Sequence, residues 1–186
     1  MAQEVAATWQ EYVDYQDIRV LEIGMDLAYF DHLKRLAKDL GHSLLESLVT
    51  LTIDCYNVIT VERALSLKKP GSFMKQLLSD AGTLSAREVI QCVEQGNLIS
   101  WFQQVNPLPY DVELSRYEEQ MRAGRVSAET VEYLEHVIKY RILEQASFET
   151  DGPLPLARYL FGKELEVKNL RLVLTGLDNQ LPIDKI

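Results

Sequence analysis

The sequence predicts an all-α protein, a helical repeat of antiparallel and crossing helices with no sheet. Three observations carry this. Apolar residues recur at steps of three and four through most of the chain, which is the helical period. The 6 prolines and 9 glycines fall between periodic segments more often than inside them. No segment sustains the period-two alternation with strand-type turns that a sheet requires.

Gln3 to about Tyr15 reads as a short amphipathic helix. Asp17 offers an N-cap for a second helix with apolar positions at Leu21, Met25, Leu27, Phe30, Leu33, Leu36 and Leu40, closed by Gly41 as a left-handed C-cap. Ser43, with Glu46 three residues on, has the capping-box spacing for a third helix over about Leu44 to Leu67. That helix is apolar almost all round, which predicts burial on more than one side. Its polar exceptions, Ser43, Ser47, Thr50, Asp54 and Asn57, fall on one narrow stripe that lets a second helix approach closely. Lys69-Pro70-Gly71 ends it.

Shorter helices follow near Ser72–Leu78, from the cap Ser85 to about Glu94, and over Leu98–Val105. Ser79-Asp80-Ala81-Gly82 is a turn, and Asn106-Pro107-Leu108-Pro109 breaks the chain. Two more helices cover about Asp111 to Ala123, stopped by Gly124, and from the cap Ser127 to about Ser147. The last long helix is entered through Asp151-Gly152-Pro153-Leu154-Pro155 and is expected to stop at Gly176, proline at the front and glycine at the back.

The composition of the 186 residues, 47% apolar and 25% charged, is that of a folded globular chain. A net charge of −9 repels a phosphate backbone and argues against nucleic acid as a partner. Cys55 and Cys92 read as buried free thiols suited to a reducing compartment. The N-terminus has acids where a signal peptide needs basic residues, and it lacks an apolar core region. The nearest approach to a membrane span, Leu44 to Val61, is interrupted by Glu46, Thr50, Thr52, Asp54, Asn57 and Thr60. A cytoplasmic protein, at most peripheral to a membrane, is expected.

Catalytic patterns are not found. Lys68-Lys69-Pro70-Gly71-Ser72 lacks the paired glycines and preceding strand of a phosphate-binding loop. His32, His42 and His136 show no zinc spacing, and no nucleophile elbow is present. No catalytic, cofactor-binding or metal residues are assigned.

The most informative residues are two acid–x–x–Asn pairs, Asp54/Asn57 and Glu166/Asn169, 112 residues apart in the numbering and each deep in a long apolar helix. With the weaker echo of Leu21-Glu22 and Phe30-x-x-Leu33 in Val131-Glu132 and Tyr140-x-x-Leu143, they suggest a repeat of about 110 residues. Asp54 and Asn57 share a face. Arg63 lies about 13 Å further along the axis and half a turn round, so it cannot bridge to Asp54 within the helix. Buried polar side chains must be hydrogen-bonded, so these pairs read first as links that dock helices, with Asp54 and Glu166 buried and bonded across helices. The other readings are a protein-partner surface and a catalytic carboxylate. On the last helix Glu164, Lys168 and Arg171 share a face, with Glu164 and Lys168 in the favourable order. Tyr29, Tyr56, Trp101, Phe102, Tyr159 and Phe161 read as core.

A resemblance to a known family follows from these residues. Asp151 to Gly176, with Glu164, Glu166, Lys168, Asn169 and Arg171 on an E-x-E-[IV]-K-N-[LI]-R core, closely resembles the end of the C subunit of the V/A-type rotary ATPases, whose eukaryotic counterpart is the d subunit. Asp54, Asn57, Thr60, Arg63 and Ala64 are similar to the family's D-x-x-N-x-x-T-x-x-R-A helix. Leu21-Glu22 with Asp26-x-x-Tyr29-Phe30 resembles the helix before it, and Gly82-Thr83-Leu84-Ser85 and Pro109-Tyr110 resemble its loops. The resemblance implies a non-catalytic part of the central stalk, built of three similar helical domains, with no cofactor. It implies partners in the rotor-ring proteolipid subunits and in the D and F subunits of the central shaft, and contact with the membrane only through the ring. Family members are longer, so a shortened or partial chain is expected, holding one and a half to two repeats, approximately 1–105 and 106–186. A free-standing helical interaction scaffold is the alternative.

Overall fold

The computed structural model describes residues 2–105, 112–123 and 126–182. The expected break at Asn106–Pro109, the resemblance at Tyr110, the helix start at Asp111 and the stop at Gly124 lie outside the described residues. The described residues hold nine α-helices and one 3-10 turn, and no strand, so the all-α class is borne out. The helices are α1 (Ala2–Tyr15), α2 (Ile18–Leu40), α3 (Ser43–Ser66), α4 (Gly71–Leu77), α5 (Ala86–Glu94), α6 (Leu98–Val105), α7 (Val112–Arg122), α8 (Ala128–Glu144) and α9 (Leu154–Asp178), with the 3-10 turn at Gln145–Phe148 between the last two. The chain divides into two compact units, Met1–Lys139 and Tyr140–Ile186.

In the first unit α2 begins and ends where its residues dictate. The Asp17 carboxylate accepts from the backbone N–H of Arg19, and Gly41 closes the helix at φ 64°. The α3 start differs from expectation. His42, not Ser43, is the extended residue before the first turn, and Ser43 is already helical. A cap must have extended backbone, and only His42 lies between the left-handed Gly41 and the helix. The capping box instead forms at α5, where Ser85 Oγ accepts from the Glu88 N–H and Glu88 reaches back to the Ser85 N–H.

α3 is the core of this unit. It packs against α2, α4 and α5, and buries Leu51, Ile53, Asp54, Cys55, Asn57, Val58, Ile59, Val61 and Ala64. By length and composition α3 could cross a membrane, the one such helix among the described residues. Its second half, from Leu51 to Ala64, is largely buried by packing within its own chain, as in a core helix. Phe30 on α2 joins it, its ring 4.6 Å from that of Tyr56. Further core comes from Trp101 and Phe102 on α6, Met121 on α7 and Val131, Leu134 and Ile138 on α8. The rings of Tyr117 and Tyr133, 5.5 Å apart, link α7 to α8.

α1 rests on α2 through a close approach that the sequence reading missed. A Cβ built on Gly24 of α2 would lie 2.8 Å from Thr8 Oγ1 and 3.1 Å from Thr8 Cβ. Thr8 is buried and β-branched, so it has little freedom to turn away. Gly24→Ala is therefore expected to push α1 outward and to destabilise the fold by about 1–3 kcal/mol. The check is thermal unfolding together with the fluorescence of Trp9. An unchanged midpoint and spectrum would contradict the close-packing account.

In the second unit α9 packs on the 3-10 turn, with Leu154 fully buried at its start. It is not stopped by Gly176, as expected, but runs to Asp178. A glycine inside a helix costs only about 1 kcal/mol relative to alanine, and nothing at Gly176 calls for positive φ. The left-handed residue is Gln180, at φ 55°. Along its length Leu160, Val167, Leu170, Leu172, Val173, Leu174 and Leu177 are exposed. Two aromatic assignments are also corrected: Tyr29 and Tyr159 are exposed, whereas Trp101 and Phe102 are core. Cys55 is buried as expected, while Cys92 is only half-buried, its thiol donating to the Asn97 carbonyl at 2.9 Å.

Candidate functional site on the central helix

The Asp54/Asn57 pair lies in the middle of α3, and both side chains are buried, exposed by 1% and 0%. Their partners are not on a neighbouring helix, as expected, but in the loop between α4 and α5. Asn57 forms a reciprocal pair with Ser79: its Nδ2 donates to the Ser79 carbonyl at 2.8 Å, and its Oδ1 accepts from the Ser79 N–H at 2.9 Å. Asp54 Oδ1 accepts from the Thr83 N–H at 2.7 Å. One turn of α3 thus holds both ends of a five-residue turn. The physical reason is stoichiometric. A buried loop backbone carries donors and acceptors that no helix ladder satisfies, and an amide side chain offers one of each.

The loop completes itself around these anchors. Ser79 is buried and its Oγ accepts from the Ala81 N–H, while Asp80 Oδ1 accepts from the N–H of Ala86, the first residue of α5, at 2.9 Å. Tyr56 adds a bond from its hydroxyl to the Leu77 carbonyl. Gly82 lies directly against the Asp54 carboxylate, with no room for a side chain. The sequence showed Ser79–Gly82 as a turn; which buried helix it would be fastened to left no local signal.

Burial holds the Asp54 carboxyl above its ordinary range, opposed by hydrogen bonding from Thr83 and by the charge of Lys34. Its second oxygen, Oδ2, is buried without a hydrogen bond. Lys34 itself donates to Thr50 Oγ1, joining α2 to the polar stripe of α3. The folded chain therefore keeps the Asp54 proton to a higher pH than the unfolded chain. Between the unfolded value, about 3.9, and the raised folded one, the native state binds more protons. The stabilising contribution is present in acid and is lost as pH rises through the folded value. Asp54→Asn keeps an acceptor for Thr83 and cannot ionise. Its denaturant midpoint is expected to gain on the wild type as pH is raised from about 3 to about 7. Parallel pH profiles for the two proteins would refute this.

The other predicted residues are less confined. Arg63 does find a partner on another helix, Glu132 of α8 at 2.5 Å, but both are largely exposed and the pair contributes little. Glu22 and Asp26 are exposed on α2. On α9 the expectation of burial fails. Glu166 is exposed and pairs with Lys163 on its own helix at 2.6 Å, and Asn169 and Arg171 are exposed. Glu164 and Lys168 form the i, i+4 pair, 3.0 Å apart. No group of three or more His, Cys, Asp or Glu that could hold a metal occurs among the described residues.

These features define an all-helical protein whose best-formed polar site fastens its own loop to its own core helix. The chain belongs to the ATP synthase (C/AC39) subunit family, which it matches over residues 2–186, as the motif resemblance led us to expect. It is similar to the C subunit of the V-type sodium ATPase of Enterococcus hirae, at 27% identity over 169 residues, covering 89% of this chain and 49% of that protein. The chain thus spans about half the length of this curated relative. No solved structure matches the chain.

Proposed function

We propose that this chain is a non-catalytic component of the central stalk of a V/A-type ATPase, coupling the rotor shaft to the membrane ring that carries the ions. The family match over residues 2–186 carries the reading. The geometry is in keeping with it. The most elaborate polar site among the described residues, Asp54 and Asn57 with Ser79 and Thr83, uses its bonded groups to hold backbone. A part that passes force between two neighbours benefits from loops fastened to its core in this way. The partners would be the rotor-ring proteolipid subunits and the D and F subunits of the shaft, with the membrane met only through the ring and the chain on its cytoplasmic side. The fold would comprise one and a half to two of the family's three helical repeats.

The test is purification of the intact ATPase from native membranes with the chain tagged. Recovery with ring and shaft proteins is the expected result. Stable absence from that complex would replace this reading with a free-standing helical scaffold. Turnover of ATP by the isolated chain would overturn the non-catalytic assignment.

A further inference from the structure

The buried Asp54 carboxyl lies beneath a thin layer of chain. Ala81, Gly82 and Leu84 are half-buried and Thr83 is exposed, so this span of backbone has the carboxyl on one side and solvent on the other. Both ends of the span are held by other means. Asn57 grips Ser79 through both of its backbone groups, and Asp80 accepts from the Ala86 N–H. Between those anchors, among the described residues, the hydrogen bonds that join the span to α3 end on Asp54: the Thr83 N–H donates to Oδ1, and the Leu84 N–H is directed at the same carboxyl.

Ionisation changes what Asp54 needs. A neutral carboxyl tolerates one bonded and one unbonded oxygen. A buried carboxylate spreads its charge over both oxygens, and each then needs water or a donor. Oδ2 is buried without a hydrogen bond, and the surrounding groups supply none. Among the described residues, Lys34 of α2 is the one charged side chain whose field reaches Asp54, yet its ammonium donates to Thr50, one turn away on α3. Asp80 in the turn faces the Ala86 N–H, Glu88 of α5 is turned to Ser85, and Lys75 is exposed on α4. Glu135 and Lys139 of α8 act on the neighbouring Cys55, a thiol that burial keeps neutral.

We propose that residues 81–84 form a proton-operated cover on α3, closed while Asp54 is protonated and released as the carboxylate forms. The proton passes to solvent, the cover lifts, and water reaches both oxygens. Lifting gives up the bonds to Asp54 at the edge of the fold and leaves α3 and the Asn57–Ser79 pair in place. It is a far smaller change than unfolding the unit, and thinly packed surface segments are where local opening occurs. The end of the unit formed by α4 and α5 is therefore stiff in acid and looser as the pH rises. The proposal rests on the geometry of the turn and not on the coupling role, so a failed co-purification leaves it standing.

The test is amide exchange of the full chain, read residue by residue from about pH 4 to about pH 8 and corrected for the intrinsic rate at each pH. Protection of the Thr83 and Leu84 amides is expected to fall by about fivefold or more through the titration of Asp54, while Ile53 and Val58 in the interior of α3 keep theirs. In Asp54→Asn, which cannot ionise, Thr83 protection should not change with pH. Lys34→Gln reads the same device without touching the buried site. It keeps a donor for Thr50 but removes the charge that favours the carboxylate, so the fall should move to higher pH. Each of four results would overturn the proposal: pH-independent protection in the wild type, the same fall in Asp54→Asn, loss at Thr83 only in step with Ile53 and Val58, or a transition that Lys34→Gln leaves in place or moves to lower pH.

Discussion

Replacing Gly82 with alanine is expected to destabilise the first unit by about 3–5 kcal/mol, the sum of an overpacked contact and a disturbed buried carboxylate. Gly82 does not have positive φ, so backbone strain is not the reason. The reason is room. An ideal Cβ at this position collides with Asp54 Oδ1 and would stand 3.3 Å from its carboxyl carbon and 3.5 Å from Ile53 Cγ2. Neither neighbour can yield, because Asp54 and Ile53 are buried in the centre of α3. The loop must therefore lift, and as it lifts the Thr83 N–H leaves Asp54. For a chain of this size the melting temperature should fall by roughly 6–20 °C. A double-mutant cycle isolates the cause. In an Asp54→Ala background the collision partner is gone, and Gly82→Ala should be markedly milder. An equal loss in both backgrounds would show that the Asp54 contact is not what excludes a side chain.

This position illustrates which parts of the molecule are legible in a one-dimensional pattern. Helix periods and their caps are local, and α2 runs from Asp17 to Gly41 as its residues indicate. The α3 cap misled because S-x-x-E fits both Ser43 and Ser85, while only Ser85 has the extended backbone that a cap needs. Gly176 misled for a related reason: glycine permits a left-handed residue but does not impose one, and the helix continued to Asp178.

The acid–x–x–Asn pairs mark the limit more sharply. Desolvation dictates that a buried Asp54 must have a partner. It does not dictate that the partner be the Thr83 amide, 29 residues on, rather than another helix. The same motif on α9 is exposed, since burial depends on what packs over a helix and not on the helix alone. Unlike α3, α9 carries Arg158, Lys163, Glu164, Glu166, Lys168 and Arg171 along its length, so its residues did not foretell burial on every side. The family resemblance was legible throughout because it rests on residue identity at fixed spacing, which needs no knowledge of contacts.

Asn57→Ala should be nearly as harmful as the glycine change, for a different reason. It leaves room rather than removing it, but it strips partners from two backbone groups at once. The Ser79 N–H and C=O lie against a residue of zero exposure, and Ser79 is itself buried. Leaving two such groups unpaired costs about 2–5 kcal/mol. The structural consequence is a loop held at Thr83 but released at Ser79. Amide exchange of Ser79 and Ala81 should accelerate well before that of the α3 interior, because the loop can open without unfolding the helix. Asn57→Asp gives a sharper test. It keeps the shape and the acceptor for the Ser79 N–H, yet sets a carboxylate oxygen against the Ser79 carbonyl. At neutral pH two acceptors then face each other beside the buried Asp54, and the variant should be less stable than Asn57→Ala. In acid, protonation restores a donor, so much of the loss should be recovered. If Asn57→Asp instead tracked the wild type at every pH, the amide would not be donating to Ser79, and the loop would owe its position to the apolar packing of α4 and α5 alone.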